Sequence, residues 1–359
     1  MQRVLQVITT LYTGGAEKLL VDSIPLYKSK GIDMALLLLN GTKTPISEEL
    51  QKQNVTVYSL SNGNIKSVYN PFHIFRIIPY LKKYGIIHVH LFPTLYWVAL
   101  AKLLSFSNVK LIFTEHNTYN RRMKKRLWSI LDKCIYKQYD KIVSITTEVD
   151  TRIKCHLSSA DDRFKVINNG INLSYFFDFQ EIKSINPNKT IIQVSAFRPQ
   201  KDQATIIRAL QYLSSNINLL LVGDGENRSK CEDLVKELNM SNRVFFLGIR
   251  MDIPQLLKSA DIIVLSSHYE GLSLSCIEAM ASGKPFIASD VPGLHDVVDG
   301  AGLLFPVGDE KKLAEKINSL LSDKDFYEKT AATCLERAKK YDINRMVDQY
   351  IELYKEVWR

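Results

Sequence analysis

The 359-residue sequence is short of cysteine: it has five, at Cys134, Cys155, Cys231, Cys276 and Cys334, and no two stand as a CxxC pair. An odd, scattered set excludes a zinc ribbon and a disulfide framework, and it suits a reducing compartment. Also missing is the apolar run of about 18 residues that a membrane-spanning helix needs. Residues 3–10 (RVLQVITT) read as a strand, with no basic stretch leading into a long apolar one, so no secretory signal is expected. The chain is accordingly expected in the cytoplasm. No GxGxxG spacing occurs, which removes the nicotinamide fingerprint. Internal repeats and low-complexity tracts are absent as well.

What is present is an ordinary globular composition, 46% hydrophobic and 24% charged, over a length that suits two domains. Charge is uneven along it. Residues 1–178 carry 24 Lys/Arg against 13 Asp/Glu, a net of +11, while the remainder carries 23 against 25. The excess points to an anionic partner: a membrane surface, a phosphorylated acceptor or nucleic acid. No nucleic-acid recognition motif accompanies it, so no nucleic-acid partner is expected.

Apolar runs of strand length at 3–10, 33–40, 55–60, 86–91, 110–115, 141–146 and 164–168 alternate with amphipathic stretches such as 16–29, 72–83 and 121–137. Such strands, separated by helices, predict a parallel sheet covered on both faces. Residues 173–189 break the pattern and contain Asn-Pro, which reads as a linker. The pattern then restarts at 190–196, 217–222, 243–247, 262–267, 285–289 and 303–306. The expected fold class is α/β: two Rossmann-like, doubly wound parallel-sheet domains at 1–178 and 184–340, facing across a cleft. The tail from 309 is helical, and its last segment, 341–359, is expected to return to the first domain.

Three loops carry residues suited to an anionic ligand. The first strand runs into Leu11-Tyr12-Thr13-Gly14-Gly15-Ala16-Glu17 and a helix, where paired glycines let backbone N–H groups approach an anion. Taken alone, the same residues make an ordinary tight turn. Past a second-domain strand, SAFRPQKD (195–202) sets Arg198 and Lys201 three apart. An arginine there holds a diphosphate bidentately and a lysine as a point charge. The bland alternative is a solvated loop with Asp202 capping the next helix. In residues 261–291, Glu270 lies on a loop and Glu278 inside an apolar helix (CIEAMA), whose N-terminus offers N–H groups to a phosphate. A ribose diol would satisfy Glu278, and so would a neighbouring lysine such as Lys284.

In combination these segments resemble glycosyltransferase family 4. The resemblance rests on Gly14-Gly15-Ala16-Glu17, Asn169-Gly170-Ile171, Arg198 with Lys201, and Val222-Gly223-Asp224-Gly225. To these it adds Glu270-Gly271 through Glu278-Ala279-Met280-Ala281, followed by Gly283 and Pro285. It implies the GT-B fold, a nucleotide diphosphate sugar as donor, no metal cofactor and retention of anomeric configuration. Arg198 and Lys201 would hold the diphosphate as it leaves, Glu278 the ribose, and Glu270 hydroxyls of the transferred sugar. Gly14, Gly15, Gly223 and the backbone of Gly271, Leu272 and Ser273 would approach the donor. His116, in Phe113-Thr114-Glu115-His116-Asn117, would lie against the donor sugar. The donor base is expected to be uridine, with guanosine or adenosine (GDP or ADP) as alternatives, and the acceptor a hydroxyl of a glycan or lipid-linked glycan in bacterial surface-polysaccharide assembly. A nucleotide-sugar 2-epimerase and a non-catalytic scaffold are the rival readings of the same fold. Gly85 departs from the family pattern, standing where an acidic residue often precedes the Ile-His-Val-His strand, and so does Leu294-His295-Asp296.

His88 and His90 share a strand face, yet no third ligand follows at useful spacing and no metal site is expected. His90, nearer the strand end, is placed against an acceptor. Asp323-Lys324-Asp325 is read as a helix cap and not as a metal motif. NRRMKKRLWSIL (120–131) reads as a basic amphipathic helix carrying Arg121, Arg122, Lys124, Lys125, Arg126 and Trp128. Such a helix lies on the anionic inner face of a membrane or packs its apolar side on the core.

Overall fold

The computed structural model describes residues 3–12, 14–117, 126–177 and 188–358. In chain order the elements are β1 (Arg3–Ile8), α1 (Gly15–Ser29), β2 (Asp33–Leu38), α2 (Pro45–Lys52), β3 (Thr56–Ser59), α3 (His73–Lys83), β4 (Ile86–His90) and α4 (Thr94–Ser105). Then follow β5 (Lys110–Glu115), α5 (Arg126–Tyr136), β6 (Lys141–Ser144), α6 (Thr147–Leu157), β7 (Phe164–Val166), α7 (Ser174–Phe177) and β8 (Lys189–Val194). Next come α8 (Gln203–Ala209), β9 (Ile217–Val222), α9 (Arg228–Glu237), β10 (Val244–Gly248), α10 (Ile253–Ser259), β11 (Ile262–Leu265) and α11 (Leu274–Ala281). The chain ends with β12 (Phe286–Ser289), α12 (Pro292–Val298), β13 (Leu303–Phe305), α13 (Glu310–Ser322), α14 (Lys324–Ala338) and α15 (Ile343–Trp358).

Residues 1–170 with 343–359 form one compact unit, and residues 171–342 form the other. The first holds a seven-stranded sheet in the order β3-β2-β1-β4-β5-β6-β7, the second a six-stranded sheet in the order β10-β9-β8-β11-β12-β13. Neighbouring strands run parallel in both. Every apolar run read as a strand forms one, because a strand covered on both faces has to be apolar along most of its length. Chain order reverses between β1 and β4 in the first sheet and between β8 and β11 in the second. Flanking crossovers then leave in opposite directions and open a crevice at the strands' carboxyl ends.

The last helix belongs to the first unit for a reason visible in its sequence. Ile343, Met346, Val347, Tyr350, Ile351, Tyr354 and Val357 recur at helical spacing and are all buried. At its end Trp358 covers Gly85: a Cβ added there would stand 1.9 Å from the indole ring. The missing acidic side chain at that position is thus explained by the residue that fills its space.

The boundary between units falls after Gly170 and not at Asp178. The Ile171 N–H donates to the Tyr341 carbonyl at 2.9 Å, and α7 buries Phe176 within the second unit. Part of the expected linker is therefore helix, while residues 178–187 lie outside the described residues.

The helix that carries Trp128 takes the core-facing alternative. The Trp128 ring leans on Tyr96 at 5.9 Å and Phe92 at 6.3 Å, half-buried against the first core, because covering that core stabilises more than presenting an indole to a surface. Of the basic residues before it, Arg121, Arg122, Lys124 and Lys125 lie outside the described residues, and so does the side chain of Arg126.

Candidate active site

In the second unit, charged residues gather at the β8/β11 switch point. Arg198 is exposed and makes no ion pair with any described residue. Lys201, three residues on, is largely buried, and its Nζ pairs with Glu270 Oε1. The same oxygen accepts from Ser267 Oγ at 2.7 Å. With Lys201 side chain 13% exposed and Glu270 7%, both charges are withdrawn from water and depend on each other.

Buried polar side chains hold this loop from beneath. Gln193, next to last in β8, donates from Nε2 to Ser195 Oγ and to the Lys201 carbonyl, both at 3.1 Å. Ser266 Oγ lies 2.9 Å from Gln193 Oε1 and 2.8 Å from the Asp202 carbonyl. Gln203 donates to Ser195 Oγ and the Ala196 carbonyl at 3.0 Å each. Asp202 stands at the N-cap position of α8 with φ 42°, in the left-handed region that non-glycine residues seldom adopt. No N–H bond to its side chain caps the helix; the carboxylate accepts instead from the Thr205 hydroxyl at 2.6 Å.

Two glycines are required by close approach. Gly223 has φ +129°, and a Cβ there would stand 2.2 Å from the Ser195 carbonyl oxygen, so only glycine lets the end of β9 close on the end of β8. At Gly293 a Cβ would meet the carbonyl oxygens of Glu270 and Gly271 at 2.2 and 2.4 Å. Pro292-Gly293 therefore seats the loop that carries Glu270. Gly293→Ala is expected to displace that loop, lowering stability by about 1–3 kcal/mol through overpacking and weakening ligand binding at Lys201. Thermal melts and nucleotide-sugar titration of the variant check this, and an unchanged melting temperature with unchanged binding would refute it.

Past Gly271, Leu272 and Ser273 are buried, and Ser273 occupies the N-cap of α11 without a side-chain bond to the helix N–H groups. Its Oγ lies 3.0 Å from Ser275 Oγ. Glu278, within α11, is 8% exposed.

In the first unit the β1/β4 switch point carries a hydrogen-bonded histidine cluster. Gln6 stands opposite His88 in the register of β1 and β4, and His90 opposite Thr114 in that of β4 and β5. His90 Nε2 lies 2.7 Å from Gln6 Oε1, and His90 Nδ1 lies 2.9 Å from His116 Nε2. Gln6 Nε2 donates to the Tyr354 hydroxyl at 3.0 Å, and that hydroxyl lies 2.8 Å from His88 Nδ1. His88 Nε2 is 2.7 Å from Thr114 Oγ1, which is 3.0 Å from the Tyr350 hydroxyl. Burial lowers all three histidines: His88 to about 3 and His116 to about 4, while His90 is pushed well below its ordinary value by burial first and then by its two histidine neighbours. All three rings are neutral at pH 7. A small cavity beside them is lined in part by Gln6, Ala16, His88, His90, His116 and Tyr350.

Gly14 is the N-cap of α1 and Gly15 its first residue. The space above Gly14 is taken by the chain's own Glu17, whose carboxylate would lie 2.1 Å from a Cβ there. The glycine turn thus forms, with the end of a side chain and not backbone as its nearest neighbour.

Sequence reasoning placed His90 against an acceptor. The structure turns it inward: it is 4% exposed and both ring nitrogens are engaged, one by Gln6 and one by His116. Asp323 accepts from the Phe326 N–H at 3.0 Å as the cap of α14. Among the described residues no three His, Cys, Asp or Glu side chains are grouped as a metal site. Gln6 and Gln193 were missed, although each is an uncharged polar side chain flanked on both sides by apolar strand residues (VLQVI, IIQV), which is a readable signal.

Residues 13–175 match the family described as Glycosyltransferase Family 4, and residues 175–341 match that described as Glycosyl transferases group 1. The chain belongs to this glycosyltransferase family. It is similar to the N,N'-diacetylbacillosaminyl-diphospho-undecaprenol alpha-1,3-N-acetylgalactosaminyltransferase of Campylobacter jejuni, 31% identical over 52% of this chain and 53% of that one. N-acetyl-alpha-D-glucosaminyl L-malate synthase of Bacillus anthracis is 32% identical over 48% and 46%. The chain thus spans about half the length of these two relatives. In structure it is similar to Anabaena HepE, solved in complex with UDP and glucose, with a TM-score of 0.85 at 21% identity over 99% of this chain and 100% of that one. WaaG, a glycosyltransferase involved in lipopolysaccharide biosynthesis, superposes with a TM-score of 0.73 at 14% identity, over 98% and 99%. These likenesses establish the two-domain GT-B fold. Among the described residues no helix is long and apolar enough to cross a membrane.

Proposed function

We propose that this protein is a retaining glycosyltransferase that moves a sugar from a nucleoside diphosphate to a hydroxyl of a glycan or lipid-linked acceptor, without a metal, in bacterial surface-polysaccharide assembly. The observation that carries the reading is the juxtaposition at the β8/β11 switch point of exposed Arg198 with the buried Lys201–Glu270 pair. A carboxylate holding a lysine in place beside an unpaired arginine is suited to receive a diphosphate, whose charge would draw Lys201 from Glu270. Glu270 would then be free to accept from sugar hydroxyls, and Glu278 would bind the ribose. Backbone N–H groups at the start of α11 add partial positive charge. Preorganised cations and N–H groups aimed at the leaving diphosphate are the largest kind of catalytic term available to such a site.

In this mechanism the bond from the anomeric carbon to the phosphate oxygen loosens first. The acceptor hydroxyl attacks from the same face, and its proton passes to the departing phosphate oxygen. UDP is the favoured donor nucleotide, supported by the UDP-bound relative. The basic first half of the chain, net +11 over residues 1–178, supports an acceptor carrying phosphate or contact with the anionic inner face of a membrane.

The test is thermal shift and slow donor hydrolysis with a panel of UDP-, GDP- and ADP-sugars, with and without chelator. Stabilisation and hydrolysis by one nucleotide class, unchanged by chelator, is the expected outcome. Loss of activity with chelator would overturn metal independence. Rearranged sugar formed without acceptor would favour an epimerase, and no binding at all a non-catalytic scaffold.

A further inference from the structure

The histidine cluster of the first unit has a direction. Gln6 Nε2 faces two partners, the Tyr354 hydroxyl at 3.0 Å and the Met34 sulfur at 3.5 Å. A thioether sulfur accepts and does not donate, so the amide nitrogen belongs on that side and the amide oxygen faces His90. An oxygen there has to be met by a hydrogen, which places the His90 proton on Nε2. A neutral imidazole carries one N–H. His90 Nδ1 is then a lone pair, and the ring that meets it at 2.9 Å has to donate, which places the His116 proton on Nε2. His116 Nδ1 is left as an acceptor and makes no hydrogen bond with any described residue. The second branch agrees: the Tyr354 hydroxyl, receiving from Gln6, passes its own hydrogen to His88 Nδ1 at 2.8 Å.

We propose that Gln6 is a positioning residue which, acting through His90, fixes His116 as its Nε2–H tautomer and so makes Nδ1 a hydrogen-bond acceptor for a hydroxyl of the donor sugar. The proposal rests on the glycosyltransferase reading for the identity of the ligand, and on the cluster alone for the tautomer. His116 follows β5, and its backbone is steadied by Glu115, which accepts from the Asn117 N–H at 3.1 Å. The ring is thereby fixed in place by its neighbours and in protonation by Gln6. Because burial keeps His116 at about 4, the assignment holds across the neutral range. The sugar position that faces His116 has to carry a group that donates, which a hydroxyl does and a carboxylate does not.

The experiment is 15N NMR of the full-length protein labelled at its histidine rings, with the His116 signals assigned by their loss in His116→Gln. In the wild type, His116 is expected to be protonated at Nε2 and bare at Nδ1; protonation at Nδ1 overturns the proposal without any variant. Gln6→Leu, which gives His90 no acceptor, is expected to mix the two His116 tautomers and to weaken binding of the stabilising nucleotide sugar about tenfold, the equivalent of one hydrogen bond. An unchanged His116 tautomer in Gln6→Leu would also overturn the proposal. Should the wild type show the Nε2–H form while no nucleotide sugar binds, the glycosyltransferase reading fails and the positioning role of Gln6 stands.

Discussion

Lys201→Ala is expected to lower sugar transfer by about 10²–10³-fold, the usual loss when one preorganised donor to a developing anion is removed. Lys201 is suited to that role because its ammonium is already withdrawn from water, held by Glu270 on a loop whose Lys201 and Asp202 carbonyls accept from Gln193 and Ser266. Little reorganisation is then left for the moment of reaction. The substitution has a second consequence. Glu270, 7% exposed, keeps only the Ser267 hydroxyl among its described hydrogen-bond partners, and an uncompensated buried charge costs about 3–5 kcal/mol. A loss of turnover in the single variant would therefore mix chemistry with stability. Lys201→Met combined with Glu270→Gln separates them, since it removes both charges and keeps a partner for Ser267. The melting temperature is expected to return towards wild type while turnover stays low. Near-normal turnover in folded Lys201→Ala would remove Lys201 from the mechanism.

Asp132→Ala is expected to be among the most destabilising single changes away from the site. Asp132 has no exposed surface; its Oδ2 lies 2.8 Å from His156 Nε2, and its Oδ1 accepts from the Tyr96 hydroxyl. The carboxylate thus ties α5 to α4, through Tyr96, and to α6, through His156. Removing it takes one hydrogen-bond acceptor from a buried hydroxyl and one from a buried imidazole, and each such loss costs about 1–3 kcal/mol. For a unit of this size the two losses together correspond to a fall of roughly 10 °C in the first unit's melting temperature. Asp132→Asn, which keeps an acceptor oxygen, should lose much less. Calorimetry that finds Asp132→Ala within roughly 2 °C of wild type would show that the helices are held by apolar packing alone.

How much of this was legible depends on whether a feature is local. The strands were, because a strand buried on both faces must be apolar residue after residue, and such runs stand out between amphipathic helices. The charged loops were, because Arg198, Lys201 and Glu270 are polar residues placed just past apolar runs, where a parallel sheet ends. The return of α15 was foreseen in outline, although its cover over Gly85 was not, since the two positions lie far apart in the chain. His90 was misplaced for a similar reason. Its nearness to a strand end is local, but its inward hydrogen bonds depend on Gln6 and His116, which belong to other strands and come within reach only through the registers of β1, β4 and β5. Trp128 read equally well as a surface or a core residue, and Tyr96 on a different helix settled it.

The sequence by itself determined two α/β units, the thirteen strand segments and the loops that carry the charged residues, because hydrophobic period and strand ends are written in consecutive residues. Only the tertiary structure decided which buried polar groups meet: Lys201 with Glu270, Gln193 with the 195–202 loop, Gln6 with His90, Asp132 with His156. A buried polar side chain has to be satisfied, but its partner comes from another element, and registry between elements is set by packing in space and not by spacing along the chain.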